Sequence, residues 1–188
     1  MSDIWEKTGS EIVGWAGRRP IVAKTFRTPD GAEVTLTVTG DARNRAAACI
    51  ALTPRGTVVL ADQYRPGPER VMSELPGGAM EPGESLEDGA ARELTEETGY
   101  VPERLTYLGE MCFDAYFGGS KHYFLATGCE RLQEQELDPN ERVEVREVPP
   151  AELVRLAMTA RVTDAGAVLL ALPHLMADPA VRELFTVP

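Results

Sequence analysis

The chain has 188 residues, 43% of them hydrophobic, which is typical of one globular domain of ordinary size with a substantial core. Its 30 acidic residues against 19 basic ones give a formal net charge of −11, which argues against binding nucleic acid or an anionic membrane surface by charge. An anionic ligand would need a metal ion to offset the charge of the protein.

The first third of the chain predicts two groups of short strands. In residues 1–45, a ThrProAspGly turn at positions 28–31 precedes a segment in which apolar and polar residues alternate, which predicts a small N-terminal β segment. Residues 46–65 contain two apolar runs around a ProArgGly turn, which predicts a second hairpin.

A helix is predicted after a glycine-rich loop. Ser85 and Asp88 form a capping-box pattern at its start, and Gly99 is suited to end it. The elements predicted after it are strands at YLGEMCF, KHYFLATG and VEVREVP, an acidic loop over 130–142, and helices at AELVRLAMTA and DAGAVLLALPHLMA. This order of strands, helix and strands predicts an α/β fold.

The predicted helix carries carboxylates on its apolar side. At about 100° per residue, Glu93 and Glu97 fall within the stripe marked by Leu86, Ala90 and Leu94. A carboxylate buried there without a partner would cost several kcal/mol or would take up a proton. The sequence therefore requires some form of compensation at this helix.

Three arrangements would compensate for the buried carboxylates of this helix. Arg92 could form a buried ion pair, although one arginine leaves negative charge over among Glu93, Glu96 and Glu97. The helix could instead make a narrow contact and leave its glutamates in solvent. The third arrangement is a divalent metal ion, because carboxylates three and four residues apart converge on one helix face and suit Mg²⁺ or Mn²⁺.

The residues around the helix form a spaced motif that favours the metal. Five residues separate the first glycine from a glutamate, seven more lead to ArgGlu, and LeuThrGluGluThrGly follows. The fixed positions are Gly78, Glu84, Arg92, Glu93, Glu96, Glu97 and Gly99. This pattern resembles the Nudix box, except that Tyr100 stands where the box has an aliphatic residue.

The resemblance implies a Nudix hydrolase, which cleaves a nucleoside diphosphate linked to another group. It implies an α/β/α sandwich around a mixed sheet, formed here by residues 46–188. It also implies that Mg²⁺, or Mn²⁺ in its place, is bound by Glu93 and Glu97, often with Glu96, and by the backbone carbonyl of Gly77. The positions that brace the loop onto the helix, or are otherwise structural in the motif, are Gly78, Glu84 and Arg92.

Three further runs resemble the ADP-ribose pyrophosphatase branch of this family. They are AspGlnTyrArgPro at 62–66, GluLeuProGly at 74–77 and AsnGluArgValGluVal at 140–145. The resemblance implies that Glu141 is the catalytic base, with Glu144 as the second candidate, and that Arg65 and Gln63 contact the substrate. Solvated surface positions are the alternative for Glu141 and Arg65.

The same branch implies a homodimer. Its N-terminal segment, residues 1–45 here, packs as a small sheet against the partner subunit and places an aromatic residue on the adenine, for which Trp5 and Trp15 are candidates. The alternative is that both indoles fill hydrophobic contacts. The other expected partner is a small nucleoside diphosphate derivative, with no nucleic acid and no membrane.

These resemblances predict a Mg²⁺-dependent pyrophosphatase that hydrolyses ADP-ribose to AMP and ribose 5-phosphate. One departure leaves other substrates open, because the branch has a proline 16 residues after the last motif glycine, where this chain has Ala115. The alternatives are another nucleoside diphosphate sugar, an oxidised nucleotide, or a non-catalytic nucleotide sensor of the same fold. The complete motif, and the lack of a basic recognition helix in the sequence of residues 150–188, favour the enzyme.

The cysteines and the first residues of the sequence indicate in which cellular compartment the protein is expected. Cys49, Cys112 and Cys129 are an odd number without a CxxC pair, which predicts buried, reduced thiols rather than a disulfide or a zinc site. The start of the sequence has no basic, apolar leader, and no run of about 18 apolar residues occurs. These features predict a soluble, cytoplasmic protein.

Overall fold

The computed structural model describes residues 4–112 and 114–185. The strands are β1 (Glu6–Ala16), β2 (Arg19–Arg27), β3 (Glu33–Thr39), β4 (Arg45–Leu52), β5 (Val58–Arg65), β6 (Arg70–Glu74), β7 (Gly77–Ala79), β8 (Tyr100–Val101), β9 (Arg104–Met111), β10 (Ser120–Thr127), β11 (Glu130–Arg131) and β12 (Val143–Val148). The helices are α1 (Leu86–Thr98), α2 (Pro150–Met158), α3 (Ala165–Leu175) and α4 (Pro179–Glu183).

The chain divides into two compact units. The first runs to Arg45 and also includes the segment Cys112–Lys121, which the sequence-based division placed in the second domain. In this unit β1, β2 and β3 form an antiparallel sheet of three strands. The segment joins it because Thr39 exchanges backbone hydrogen bonds with Tyr116 and Gly118, contacts that a hydropathy pattern does not encode.

The second unit contains a mixed sheet of seven strands with helices on both faces. Its main order is β12-β5-β4-β10-β9, with β6 beside β5 and β7 beside β4. Helix α1 packs Ala90 and Leu94 on one face of the sheet, against residues that include Cys49. On the other face, Leu153 and Val168 of α2 and α3 pack with residues of β4 and β5. These layers confirm the predicted α/β/α sandwich.

Helix α1 begins and ends where the sequence predicts. The Ser85 hydroxyl accepts a hydrogen bond from the Asp88 backbone N–H at 3.1 Å, which satisfies one of the free donors of the first turn. Gly99 ends the helix in the left-handed conformation, with φ of 75°, and its N–H donates to the carbonyl of Thr95. The cap residues therefore fix the two ends of the helix that carries the motif glutamates.

One side-chain expectation differs from the structure. Cys49 and Cys129 are buried thiols as predicted, but Cys112 is exposed, so that part of the prediction is wrong. Trp5 and Trp15 are 43% and 61% exposed in the single chain, and Trp5 contacts Phe26 edge to face. Cys112 and both tryptophans belong to the first unit, which has little core of its own. Among the described helices, none has the length and apolar character needed to span a membrane.

Candidate active site

Glu97 is the most buried carboxylate of the motif. Only 5% of the residue is exposed, and its Oε2 accepts a hydrogen bond of 2.8 Å from the backbone N–H of Gly77. Within the described part of the chain it makes no ion pair. Burial, with smaller contributions from the charges of Glu93, Glu141 and Glu74, raises the pKa of Glu97 to about 8. A carboxylate in this state is protonated at neutral pH unless a cation offsets its charge.

Glu93 lies one turn earlier on α1, against the glycine loop. A Cβ atom on Gly78 would come within 2.3 Å of the Glu93 Oε2, so only glycine leaves room for this carboxylate. The side chain of Glu93 is 15% exposed, and burial raises its pKa. The solvated alternative is therefore wrong for Glu93 and Glu97, whereas the Glu96 side chain, 38% exposed, lies at the surface.

Arg92 joins the motif residues into one network. Its guanidinium donates to both carboxylate oxygens of Glu84, at 2.9 and 3.1 Å, and to the carbonyl of Ala79 at 3.2 Å. Its Nη1 also donates to Glu93 and Glu96, at 3.0 and 2.8 Å. The ion-pair alternative is thus realised for two of the three helix glutamates. Arg92 forms no ion pair with Glu97, whose ionised form is therefore the one left without a direct partner.

We expect Arg92→Ala to lower the free energy of unfolding by about 2–3 kcal/mol, because it leaves the partly buried Glu84 and Glu93 without their donor. Urea denaturation of the two proteins measures this difference. Arg43→Ala is the control, since Arg43 pairs with Asp41 while its own side chain is 75% exposed, and we expect little change there. An equal loss in both variants would contradict a bracing role for Arg92.

The loop before β12 brings Glu141 to the same end of α1. The Gln135 amide donates to the carbonyls of Glu97 and Val143, at 2.7 and 3.3 Å, and so ties this loop to the helix. The charge of Glu141 contributes to the raised pKa of Glu97, which indicates that the two carboxylates lie close together. Across the sheet, Val143 pairs with Gln63 and Glu144 pairs with Asp62. Successive residues of a strand point to opposite faces, so Glu144 lies on the face of the sheet opposite to the one that carries Gln63.

The face of β5 and β6 that carries Gln63 and Arg65 also carries Glu74. Arg65 donates through Nε and Nη2 to both carboxylate oxygens of Glu74, which is 6% exposed, and this pairing raises the pKa of the arginine. One edge of the guanidinium is thereby fixed, and the other edge remains available. Glu74 begins a run that resembles the ADP-ribose pyrophosphatase branch, but the sequence did not predict that this residue belongs to the site. The two-residue spacing that places Met72 and Glu74 on the same face of the strand was the signal from which the position of Glu74 could have been predicted.

The donor set suits a hard divalent cation. Carboxylate oxygens are the ligands that Mg²⁺ and Mn²⁺ prefer, and a cation beside Glu97 would offset a buried charge that has no described partner. Across residues 4–112 and 114–185, no three His, Cys, Asp or Glu side chains already form a metal-binding group. Arg92 donates to Glu93 and Glu96, and the backbone N–H of Gly77 donates to Glu97, so one oxygen of each carboxylate already accepts a hydrogen bond from the protein.

Comparison with known proteins identifies the family. A family model described as the NUDIX domain matches residues 42–169. The chain is 38% identical over 122 residues to the ADP-ribose pyrophosphatase of Bacillus subtilis, a match that covers 64% of this chain and 66%, just under two thirds, of the relative. It is 31% identical over 140 residues to the methanol dehydrogenase activator of Bacillus methanolicus, covering 73% and 75% of the two chains.

The fold has a similar counterpart among solved structures. The crystal structure of an ADP compounds hydrolase superposes with a TM-score of 0.77 at 20% identity, covering 94% of this chain and 97% of the other. The matched family model contains the whole motif from Gly78 to Gly99, together with the buried glutamates and the arginine network described above. This chain belongs to the Nudix hydrolase family.

Proposed function

We propose that the protein is a divalent-metal-dependent pyrophosphatase that hydrolyses ADP-ribose to AMP and ribose 5-phosphate. The observation that carries this proposal is the buried Glu97, which forms no direct ion pair with any described residue although Glu93, Glu141 and Glu74 lie near it, and on which Arg65 acts only at longer range. A diphosphate binds to such an acidic site only together with cations. The similarity to an ADP-ribose pyrophosphatase supports the choice of substrate.

We assign the metal to Glu93 and Glu97, with Glu96 and the backbone carbonyl of Gly77 as further ligands. When bound, Mg²⁺ or Mn²⁺ would neutralise phosphate oxygens and lower the pKa of a water molecule. Arg92 uses one carboxylate oxygen of Glu93 and one of Glu96, which leaves the other oxygen of each for the metal, while Glu84 holds the other edge of the guanidinium. The loop would then stay braced during turnover.

Glu141 is the proposed general base. It takes a proton from the attacking water, one P–O bond forms to the water oxygen, and one P–O bond of the anhydride breaks to release AMP and ribose 5-phosphate. The tie between its loop and α1 through Gln135 supports this assignment. The second candidate for the base, Glu144, lies on the face of the sheet opposite to the one that carries Gln63. Arg65 and Gln63 are the proposed substrate contacts on β5.

A panel of nucleoside diphosphate derivatives tests the proposal. We expect AMP and ribose 5-phosphate in equal amounts from ADP-ribose with Mg²⁺, and no product with a chelator, when products are resolved by chromatography. Ala115 is the reason to include other nucleotide sugars and oxidised nucleotides. If one of those compounds is hydrolysed faster than ADP-ribose, that compound is the substrate instead of ADP-ribose. Nucleotide binding without turnover of any compound would identify a non-catalytic sensor.

We also propose that the protein is a homodimer whose interface includes β1. This strand exposes Ile12, Val13 and Trp15, which are 48%, 55% and 61% exposed in the single chain. Such neighbouring apolar side chains are typical of a protein interface. Light scattering should give twice the mass of the chain for the wild type, and a lower mass for Trp15→Ser at the same concentration. A monomeric wild type would contradict the proposal.

A further inference from the structure

Two arginines face each other where the β5–β6 hairpin opens toward its turn. Arg65 and Arg70 are paired residues in the antiparallel register, as are Gln63 and Met72 two positions further in. Paired residues place their side chains on the same face, and like charges directly opposite each other destabilise a sheet. The hairpin therefore holds a pair of guanidinium groups that calls for a compensating anion.

The two arginines are compensated unequally. Arg65 has its carboxylate, Glu74, on the same face. Arg70 makes no ion pair with any residue that the structure describes, and its Nε lies 3.2 Å from the sulfur of Met72. Because Met72 lies between Arg70 and Glu74 on this face of the strand, the contact directs the Arg70 side chain along β6 toward Glu74, the carboxylate to which the Arg65 guanidinium donates.

Gln63 gives a second, independent observation at the same place. The residue is only 7% exposed, yet its amide makes no hydrogen bond within the described residues. No fully buried side-chain nitrogen or oxygen of the described chain lacks a partner, so the amide of Gln63 must use its small exposed area to reach the surface. A polar group that is nearly buried and still unpaired at this position is suited to a ligand.

We infer that Arg70 binds the phosphate oxygens of the substrate from the side opposite Arg65, so that the two guanidinium groups close on the diphosphate above Gln63. This inference rests on the proposed function. Arg65 is held in position by Glu74 before the substrate arrives, whereas Arg70 is exposed and changes its contact from the sulfur of Met72 to phosphate. Guanidinium groups bind phosphate oxygens through parallel N–H donors, and the acidic surroundings make two such groups more effective than one.

The test compares Arg70→Ala with the wild type on whichever compound of the panel the wild type hydrolyses. We expect KM to rise about tenfold while kcat changes less than about twofold, because a contact made equally in the ground and transition states alters binding alone. Arg70→Lys should recover part of the loss, since it restores the charge without the paired donors. Arg104→Ala, at another exposed strand arginine of the same unit, should leave KM unchanged.

A second measurement is independent of turnover. With Mg²⁺ present, calorimetry should show that ADP binds at least about fivefold more weakly to Arg70→Ala than to the wild type. Unchanged KM and ADP affinity in Arg70→Ala would overturn the inference, as would a lowered kcat and Tm with unchanged KM. The compound that the wild type hydrolyses tests the proposed function. The change in KM and in ADP affinity from the wild type to Arg70→Ala tests the role of Arg70.

Discussion

Glu97→Gln is expected to make the metal-free protein more stable at pH 8.5 while it abolishes turnover. The glutamine amide still has an oxygen that accepts the hydrogen bond from the N–H of Gly77. It cannot ionise, however, and so it removes a negative charge from a residue that is only 5% exposed and lies near other carboxylates. The gain in stability should be on the order of 3 kcal/mol, or about 6–12 °C in Tm. Turnover should fall by about a thousandfold or more, because the substitution removes a proposed metal ligand.

The pH dependence of stability gives this prediction its sign. The folded-state pKa of Glu97 is raised from 4.5 to about 8, so between these values the folded protein binds more protons than the unfolded chain. Stability from this group is complete below pH 4.5, the unfolded pKa, and is lost as the pH rises through about 8. Metal-free wild type should therefore melt at a lower temperature at pH 8.5 than at pH 5.5.

Thermal unfolding in a chelator at these two pH values measures the effect. The change in Tm between the two pH values should be much smaller in Glu97→Gln, where the raised pKa of Glu93 and those of the buried thiols Cys49 and Cys129 still contribute in the same direction. Glu87→Gln, at an exposed position in the first turn of the same helix, is the control and should keep both this change in Tm and the activity. A Glu97→Gln protein with the wild-type change in Tm would show that Glu97 is not the buried titrating group.

Glu141→Gln should lower kcat by about 10²–10⁴-fold while KM and metal affinity stay near the wild-type values. Glu141 precedes β12 in a loop tied to the end of α1, and it is only partly buried, so an amide there should not disturb folding. Steady-state kinetics with calorimetric titration of Mg²⁺ separate the base from the metal ligands. Loss of metal binding in this variant would make Glu141 a ligand instead.

Glu144→Gln is the matched control for this experiment. It changes the same side chain three residues away, on the face of the sheet that carries Asp62 rather than α1. We expect full activity in this variant. If Glu144→Gln loses kcat and Glu141→Gln keeps it, the assignment of the base is reversed while the metal site is unaffected.

The helix and its layers were predictable because local signals decide them. Ser85 and Gly99 set the ends of α1 through their own backbone preferences, and the 3.6-residue period placed Glu93 and Glu97 toward the sheet. Their burial followed from these two facts. The spacing of the motif then led to the family that the comparison confirmed.

Two kinds of contact were not fixed by the sequence. The pairing of Arg92 with Glu93 and Glu96 is local and was one of the arrangements left open, but the choice depends on rotamers that periodicity does not specify. The other contacts are non-local. Glu74 reaches Arg65 because two strands adopt a particular register, which only the hairpin as a whole determines. The exposure of Cys112 likewise follows from the segment that joins the first unit.

We propose that the buried glutamates of α1 bind a divalent cation. Because the pKa of Glu97 is about 8 without metal, this carboxyl is mostly protonated at pH 7. Binding of Mg²⁺ should then release close to one proton per chain, which calorimetry in buffers of different ionisation enthalpy measures directly. We expect this release in the wild type and its loss in Glu97→Gln. Mg²⁺ binding without proton release, or no Mg²⁺ binding by the wild type, would contradict it.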